Sequence, residues 1–232
     1  MAGYDFILAG AALTALPSGA LHWPEQATLV VSDLHLGKAE RIARRGGTLL
    51  PPYETTETLN RLEADIEAVA AGCVLCLGDS FDDLEAAGGL PQDEADRLAR
   101  LMAGHHWIWV EGNHDPGPTE LGGTHLARVR LGPLSFRHIA QPGASAEVSG
   151  HYHPKARIAA GGRRIAARCF LLDAARLILP AYGAYTGGLH CDDPALSGLM
   201  GADARAVLLG DPPRPIPMPG AQSRPVSFRE SR

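Results

Sequence analysis

Three short apolar runs punctuate the first half of the chain: Ala27-Thr28-Leu29-Val30-Val31, Cys73-Val74-Leu75-Cys76-Leu77 and Trp107-Ile108-Trp109-Val110. Each is too short for a helix and is followed by glycine or polar residues, so each predicts a buried strand delivering polar side chains to one edge of a sheet. Between them the period changes. Thr55 to Ala71 carries Leu59, Leu62, Ile66 and Val69 at helical spacing, and Gln92 to Met102 carries Ala95, Leu98, Ala99 and Met102 in the same way. From Leu126 to Leu179 short apolar segments alternate with Gly, Pro and Arg clusters, which predicts a more antiparallel, strand-rich half. The pattern predicts an α/β chain of two facing mixed β-sheets flanked by helices, with one domain over residues 1–210. Residues 211–232, rich in Pro, Arg and Ser, predict a mobile tail.

Composition narrows this picture. A chain of 232 residues, 45% of them hydrophobic, is long enough for one well-buried core. The formal charge of −5 comes from 21 basic and 26 acidic residues, so nucleic-acid binding would need a local basic patch and not the global field. Cys73, Cys76, Cys169 and Cys191 are too few and too scattered for a disulfide scaffold, which points to a reducing, cytoplasmic setting. Strand alternation turns Cys73 and Cys76 to opposite faces, against a C-x-x-C metal or redox site. Asp5 interrupts the apolar N-terminus and no basic segment precedes it, arguing against a signal peptide or a membrane span.

The polar residues after the strands carry the chemistry. SDLHLGK (32–38), GDSFDD (78–83), GNHD (112–115) and GHYH (150–153) bring Asp, His and Asn together in order. Such a group is costly to bury unless a cation neutralises it. Asp33 and His35 stand two apart at a strand end and can chelate one ion, and His151 and His153 repeat that spacing. Gly150 allows an unusual backbone there. Asp79 is the natural bridge, since one carboxylate can hold two cations about 3.5–4 Å apart. Asn113 offers a neutral oxygen. Nitrogen and oxygen donors without thiolate favour Mn, Fe, Zn, Co or Ni over calcium.

These segments resemble the calcineurin-like metallophosphoesterases, whose pattern runs D-x-H, GD-x-x-D/N, GNH-D/E, a lone His and GH-x-H. The resemblance implies two divalent cations, one on Asp33, His35, Asp79 and His153, the other on Asp79, Asn113, His151 and a further histidine. His138, after the strand-like Leu134-Ser135-Phe136-Arg137, is the first choice for that ligand and His125 the second. It also implies phosphoester hydrolysis by a metal-bound hydroxide, with His114 stabilising the transition state or protonating the leaving oxygen and Asp115 positioning it. GALHWP (19–24), SDLHLGKAERIARRGG (32–47) and LPAYGAYTGGLH (179–190) are similar to a narrower bacterial group, the ligase-associated DNA damage response endonucleases. That likeness implies a Mn-dependent phosphodiesterase acting on DNA or RNA, beside an ATP-dependent DNA ligase and a helicase. Asp82 stands where that group has His, a change that keeps the metal site and loosens the inference about substrate. A small-molecule phosphoesterase, or a catalytically silent interaction module on the same fold, are the alternatives; the intact ligand set argues against the second.

Other residues admit two readings. Lys38, Arg41, Arg44 and Arg45 either line a phosphate-backbone groove or solvate a helix face. Tyr182 and Tyr185 are candidates to stack on bases at the mouth of the site, with core packing an equal reading for Tyr182. Asp82 and Asp83 either orient a ligand histidine or cap a helix. His105, His106 and His190 match no motif position and read as structural.

Overall fold

A computed structural model describes residues 2–44, 46, 53–117, 121–160 and 163–220. The elements run β1 (Tyr4–Leu8), β2 (Ala11–Ala15), β3 (Leu21–Trp23), β4 (Thr28–Val31), α1 (Lys38–Arg44), α2 (Glu54–Val69), β5 (Cys73–Leu77), α3 (Leu84–Gly88), α4 (Gln92–Ala103), β6 (His106–Val110) and β7 (Thr124–Leu126). They continue through β8 (Val129–Leu131), β9 (Leu134–Phe136), β10 (Glu147–Ser149), β11 (Lys155–Ala160), β12 (Arg163–Leu172), β13 (Arg176–Ile178), α5 (Pro194–Ser197), β14 (Arg205–Leu208) and β15 (Arg214–Pro217).

The first sheet follows chain order from β1 to β7; pairs are antiparallel as far as β4 and parallel from β4 to β7. Alternation explains why its central strands read as unbroken apolar runs. Val30, Leu75, Leu77, Ile108 and Val110 face the second sheet and meet Phe136, Val148, Phe170 and Leu177. Leu29, Val31, Val74, Cys76, Trp107 and Trp109 face outward onto Leu59, Leu62 and Ile66 of α2 and Leu98, Leu101 and Met102 of α4. Both faces are covered, so both parities are apolar. Cys73 packs with the inter-sheet core and Cys76 with the helical side, and both thiols are free.

The second sheet runs β15-β14-β12-β13-β10-β9-β8, with β11 paired to β12. It is mixed, not simply antiparallel: β10 lies parallel to both β9 and β13. That arrangement gives β9 and β10 a common direction, so His138 and the Gly150–His153 segment leave the sheet at the same end. Its outer face packs Ala156, Cys169, Leu171 and Ile178 on Cys191, Leu196 and Met200.

Two parts of the chain depart from the sequence expectation. The N-terminal strands arise from a tight hairpin in which Ala9 and Gly10 both take positive φ, 50° and 87°, joining Leu8 to Ala11. Two left-handed central residues match the twist of the flanking strands. The tail expected from residue 211 instead begins with β15, whose Pro215 and Pro217 sit opposite Val207 and Arg205 at the sheet edge. Proline has no N–H to donate, and an edge strand needs pairing on one side only. Met218 is buried beyond it, while residues 221–232 lie outside the described residues.

A buried ion pair holds the centre of the second sheet. Glu147 and Arg176 are register partners on β10 and β13, both almost fully buried, with Nη1 3.3 Å from Oε1, and Arg137 Nε lies 3.3 Å from Oε2. Arg176→Met should cost about 3 kcal/mol by leaving Glu147 with less of its positive partner, and adding Glu147→Leu should return much of the loss. Urea unfolding followed by far-UV circular dichroism checks both; equal midpoints for wild type and Arg176→Met would refute the prediction.

Candidate metal centre

The C-terminal ends of β4, β5 and β6 open into Ser32–Leu36, Gly78–Phe81 and Gly112–Asp115, and the second sheet contributes His138 and Gly150–His153 from β9 and β10. Main-chain bonds zip these loops together. Asp33 N donates to Gly78 O (3.2 Å), His35 N to Asp79 O (2.9 Å), Leu36 N to Ser80 O (2.9 Å) and Gly150 N to His138 O (2.9 Å). Asp115, 6% exposed, organises the same region: Oδ1 accepts from Asp79 N and Gly112 N, and Oδ2 from Ser80 N and Phe81 N, at 2.8–3.2 Å. Burial pushes its carboxyl up to about 6, against those four donors. Asp115 therefore serves the loops, and its carboxylate makes no contact with the His114 ring among the described contacts.

The backbone is left-handed at Asp33 (φ 54°), His35 (47°), Asp79 (46°), His151 (72°) and His153 (47°). Asp and His tolerate this region better than most residues, yet each instance costs of the order of 1–3 kcal/mol. Gly150 itself has no positive φ; it is needed for close approach. A Cβ there would stand 1.6 Å from Ser32 Oγ and 2.6 Å from Asp33 Oδ2.

Among the described residues the side chains form three adjoining groups able to hold a cation, Asp33–His35–His153, Asp79–His138–His151 and, sharing His35, His35–Asp82–His114; the first two carry the expected ligands. In the first, His153 Nε2 lies 3.2 Å from Asp33 Oδ1 and 3.4 Å from His35 Nε2. In the second, His138 Nε2 lies 3.0 Å from Asn113 Oδ1, 3.2 Å from His151 Nδ1 and 3.3 Å from Asp79 Oδ2. Asp33 Oδ1 also comes within 3.9 Å of His138 Nδ1, so Asp33 touches both groups.

The opposite nitrogen of several rings is held from outside. His138 Nδ1 donates to Leu77 O (2.8 Å), His114 Nδ1 to Asp82 O (2.8 Å), and His35 Nδ1 lies 2.9 Å from Asp82 Oδ1. Each contact turns Nε2 inward, the disposition a metal-binding imidazole needs once that nitrogen is deprotonated. Asp33 Oδ1 is buried and has no hydrogen-bond partner, while Oδ2 accepts from Ser32 Oγ and His151 N. An orphaned carboxylate oxygen among inward-facing imidazole nitrogens fits a cation and little else.

Electrostatics agree with the geometry. Burial opposes ionisation of Asp33 and Asp79, but the adjacent His153 and His138 rings, with the Ser32 hydroxyl on Asp33 and the His114 N–H on Asp79, hold both carboxyls below their ordinary range. Burial likewise opposes the charged His138 ring, yet Asp79 and Asp33 raise it to about 9. Burial and the His138 charge lower His151.

The remaining predicted residues fall apart from one another. Asp82 is buried against His35 and the Arg41 guanidinium, whereas Asp83 caps α3, accepting from Ala86 N at 2.8 Å; each aspartate fulfils one of the two readings. Arg41 is thus bound to Asp82, and Arg44 is bound to Glu40, Asp83 and Glu85. Lys38 opens α1, and Arg45 lies outside the described residues. Tyr182 is buried, its hydroxyl donating to Asp65 at 2.9 Å, while Tyr185 is 51% exposed. His125 stacks on Trp109 on β7, away from both donor groups. Sequence reasoning missed Ser32 and Leu77 O, which hold Asp33 and His138; the backbone oxygen carries no residue-type signal.

Residues 27–165 match the family model of the calcineurin-like phosphoesterases. No curated relative matches the chain by sequence. Among solved structures, the crystal structure of Pseudomonas putida nuclease MPE is similar at 26% identity, with a TM-score of 0.73, over 92% of this chain and 100% of that one.

Metal loading should release protons. His138, raised to about 9, is charged at pH 7.5 in the metal-free protein and must give up a proton to bind a cation. Its charged form stabilises the metal-free fold fully below pH 6.5, and that contribution is lost as pH rises through about 9. Calorimetric titration of Mn in two buffers of different ionisation enthalpy should show about one proton released at this site, and none from it in His138→Asn. Identical apparent enthalpies in both buffers would reject the assignment.

Proposed function

Since the chain belongs to the calcineurin-like phosphoesterase family, we propose that it is a nuclease, hydrolysing phosphodiester bonds in DNA at a centre that takes two divalent cations. The orphaned, buried Asp33 Oδ1 between His153 and His138 is the observation that carries the metal assignment. Asp33, His35, Asp79 and His153 would hold one ion and Asp79, Asn113, His138 and His151 the other. Mn is favoured by the family resemblance, and Fe, Zn, Co or Ni also suit the donors. When bound, such cations lower the pKa of a water and offset charge developing on the phosphoryl oxygens.

The chain's own groups supply the rest. His114 is 35% exposed at the mouth, its Nδ1–H fixed on Asp82 O and its Nε2 3.9 Å from Asp79 Oδ2. With Nδ1–H held on Asp82 O, Nε2 carries a proton to give only in the imidazolium form. Asp115 keeps the Asp79 and Asn113 loops in register. Asp82 fixes the ring of His35, with Arg41 offsetting its charge. A cavity of about 430 Å³ continues from Asn113 and His138 past Arg128, Arg137 and Gln141, which supports a substrate longer than a single phosphoester. Lys38 and Tyr185 are the contacts retained from the first reading; Arg41 and Arg44 are spent on carboxylates. The nuclease similarity supports nucleic acid as the substrate class, and a role in DNA repair beside an ATP-dependent ligase and a helicase in the cytoplasm rests on the family resemblance. None of the described helices is long and apolar enough to cross a membrane.

Metal-loaded protein should linearise circular single-stranded DNA, with duplex DNA, RNA, cyclic nucleotides and phosphomonoesters as comparisons; turnover of the last two alone would replace the nuclease reading with a small-molecule one. Chelation by EDTA should abolish activity and Mn restore it. Asp79→Asn should lower metal content, read by mass spectrometry of the metals, and nearly abolish turnover. Normal metal content with full activity would remove Asp79 from the site.

His114→Ala should lose roughly 10²–10⁴ in rate on an ester with a poor leaving group and far less on an activated aryl ester. Equal losses on the two would assign His114 to phosphate binding instead.

A further inference from the structure

Beside the metal centre, two arginines line a small cavity together with Glu57, and neither forms an ion pair with it. The segment after β13 lies against the first metal loop: Tyr182 N donates to Ser32 O (2.8 Å) and Gly183 N to Asp33 O (3.1 Å). The next residues, Ala184, Tyr185 and Thr186, wall a cavity of about 180 Å³ whose floor carries Arg61 from α2 and Arg168 from β12, with Glu57 on the rim. Arg168 Nη1 donates to Ala181 O at 3.1 Å, and Arg61 Nη2 donates to Tyr182 O while its guanidinium lies 4.6 Å from the Tyr182 ring. Each guanidinium has five N–H donors, so most remain to be used. Arg61 Nε is buried without a partner.

Neighbouring charges make the arrangement costly as it stands. Glu57 and Arg61 are one turn apart on α2, the spacing of a helical ion pair, yet Arg61 turns to Tyr182 instead. Among the described residues neither Arg61 nor Arg168 has a carboxylate within ion-pair distance. Burial and the adjacent Arg61 charge push the Arg168 guanidinium down from its ordinary value, with Glu57 opposing. Two like charges drawn together in a half-buried cavity call for an anion. The cavity is smaller than the roughly 300 Å³ of a site enclosing a small organic ligand. It suits a charged group, and guanidinium forks suit phosphate oxygens.

We propose that Arg61 and Arg168 bind a non-scissile backbone phosphate of a single-stranded nucleic acid, with the exposed Tyr185 ring at the rim receiving the adjoining base. The inference rests on the nuclease reading and specifies how that substrate is tracked. Ala184 follows the residue bonded to Asp33 O, and successive Cα atoms are about 3.8 Å apart, so the cavity wall starts within roughly 10 Å of the metal loop. A strand cut at the cations can reach it with a phosphate a few nucleotides away. Arg41 and Arg44, although nearer the motif in sequence, are already paired with carboxylates, whereas Arg61 and Arg168 keep donors to spare.

The test compares kcat/KM for cleavage of an oligothymidylate with kcat/KM for bis-p-nitrophenyl phosphate, each measured across a salt series on metal-loaded protein. Arg61→Gln and Arg168→Gln should each lose at least tenfold more on the oligonucleotide than on the diester. Each should also flatten the log–log salt dependence by about 0.7, the slope of one single-strand phosphate contact. Arg168→Lys, which keeps the charge and loses the fork, should retain the slope with an intermediate loss. Equal losses on both substrates would mean that the arginines merely staple the 181–186 segment behind Asp33, and an unchanged salt slope with steep wild-type dependence would likewise overturn the proposal while the nuclease reading stands. Wild-type turnover of the diester with neither cleavage nor inhibition by the oligonucleotide would defeat the nuclease reading itself, and this inference with it.

Discussion

Two carboxylates, Asp33 and Asp79, are buried beside four imidazoles at one end of a sandwich, and the cost of that burial governs the surrounding structure. A charged group taken out of water without compensation costs far more than a domain's whole margin of stability. In the metal-free chain the compensation is borrowed: His138 takes a proton for Asp79 and Asp33, and the Ser32 hydroxyl and His151 N–H bind Asp33 Oδ2. Asp33 Oδ1 is left over. A cation held by these residues would resolve all of these at once, taking the place of the His138 proton and engaging the orphaned oxygen.

Five left-handed residues sit among the donors, and the strain has a structural reason. In a continued strand the two donors of an i, i+2 pair would share a face but stand about 6.6 Å apart along it. Folding the backbone back at Asp33 and His35, and again at His151 and His153, turns each pair inward. The energy for this comes from the apolar layers beneath and from the loop-to-loop N–H bonds, with Asp115 tying four of them to one carboxylate. Asp115 thus fixes where the Asp79 and Asn113 loops stand.

The apolar runs at β4, β5 and β6 were legible because strands covered on both faces lose their alternation and stand out in any sequence. Helices α2 and α4 were legible from their 3.6-residue period, to within a residue or two at each end. The N-terminal hairpin was not, since Leu8-Ala9-Gly10-Ala11 lacks the Asn-Gly or Asp-Gly pair that announces two left-handed turn residues. Nor was β15, because prolines that signal a tail are equally at home on a strand bonded along one edge. Within the site, residue type and spacing brought Asp33, His35, Asp79, Asn113, His151 and His153 into view. His138 was the first choice from its strand-like lead-in and its place shortly before GHYH; parallel pairing of β9 with β10 sets it beside His151, while His125 stacks on Trp109.

The basic residues illustrate the same limit from the other side. Charge near a motif in sequence is a poor guide to charge near a site in space, because a helix such as α1 brings its own acids: Glu40 lies one turn from Arg44, and Asp82, Asp83 and Glu85 face it across the loop. Those pairs cancel the field that would attract a phosphate. Arg61 and Arg168 come from elements over a hundred residues apart and share no motif with the metal ligands. The packing of α2 and β12 against the 181–186 segment brings them together, and among the described residues neither guanidinium has a carboxylate within ion-pair distance. Net charge of the whole chain is negative, so any polyanion that reaches the cations must be guided by such local surplus and not by the molecule's long-range field.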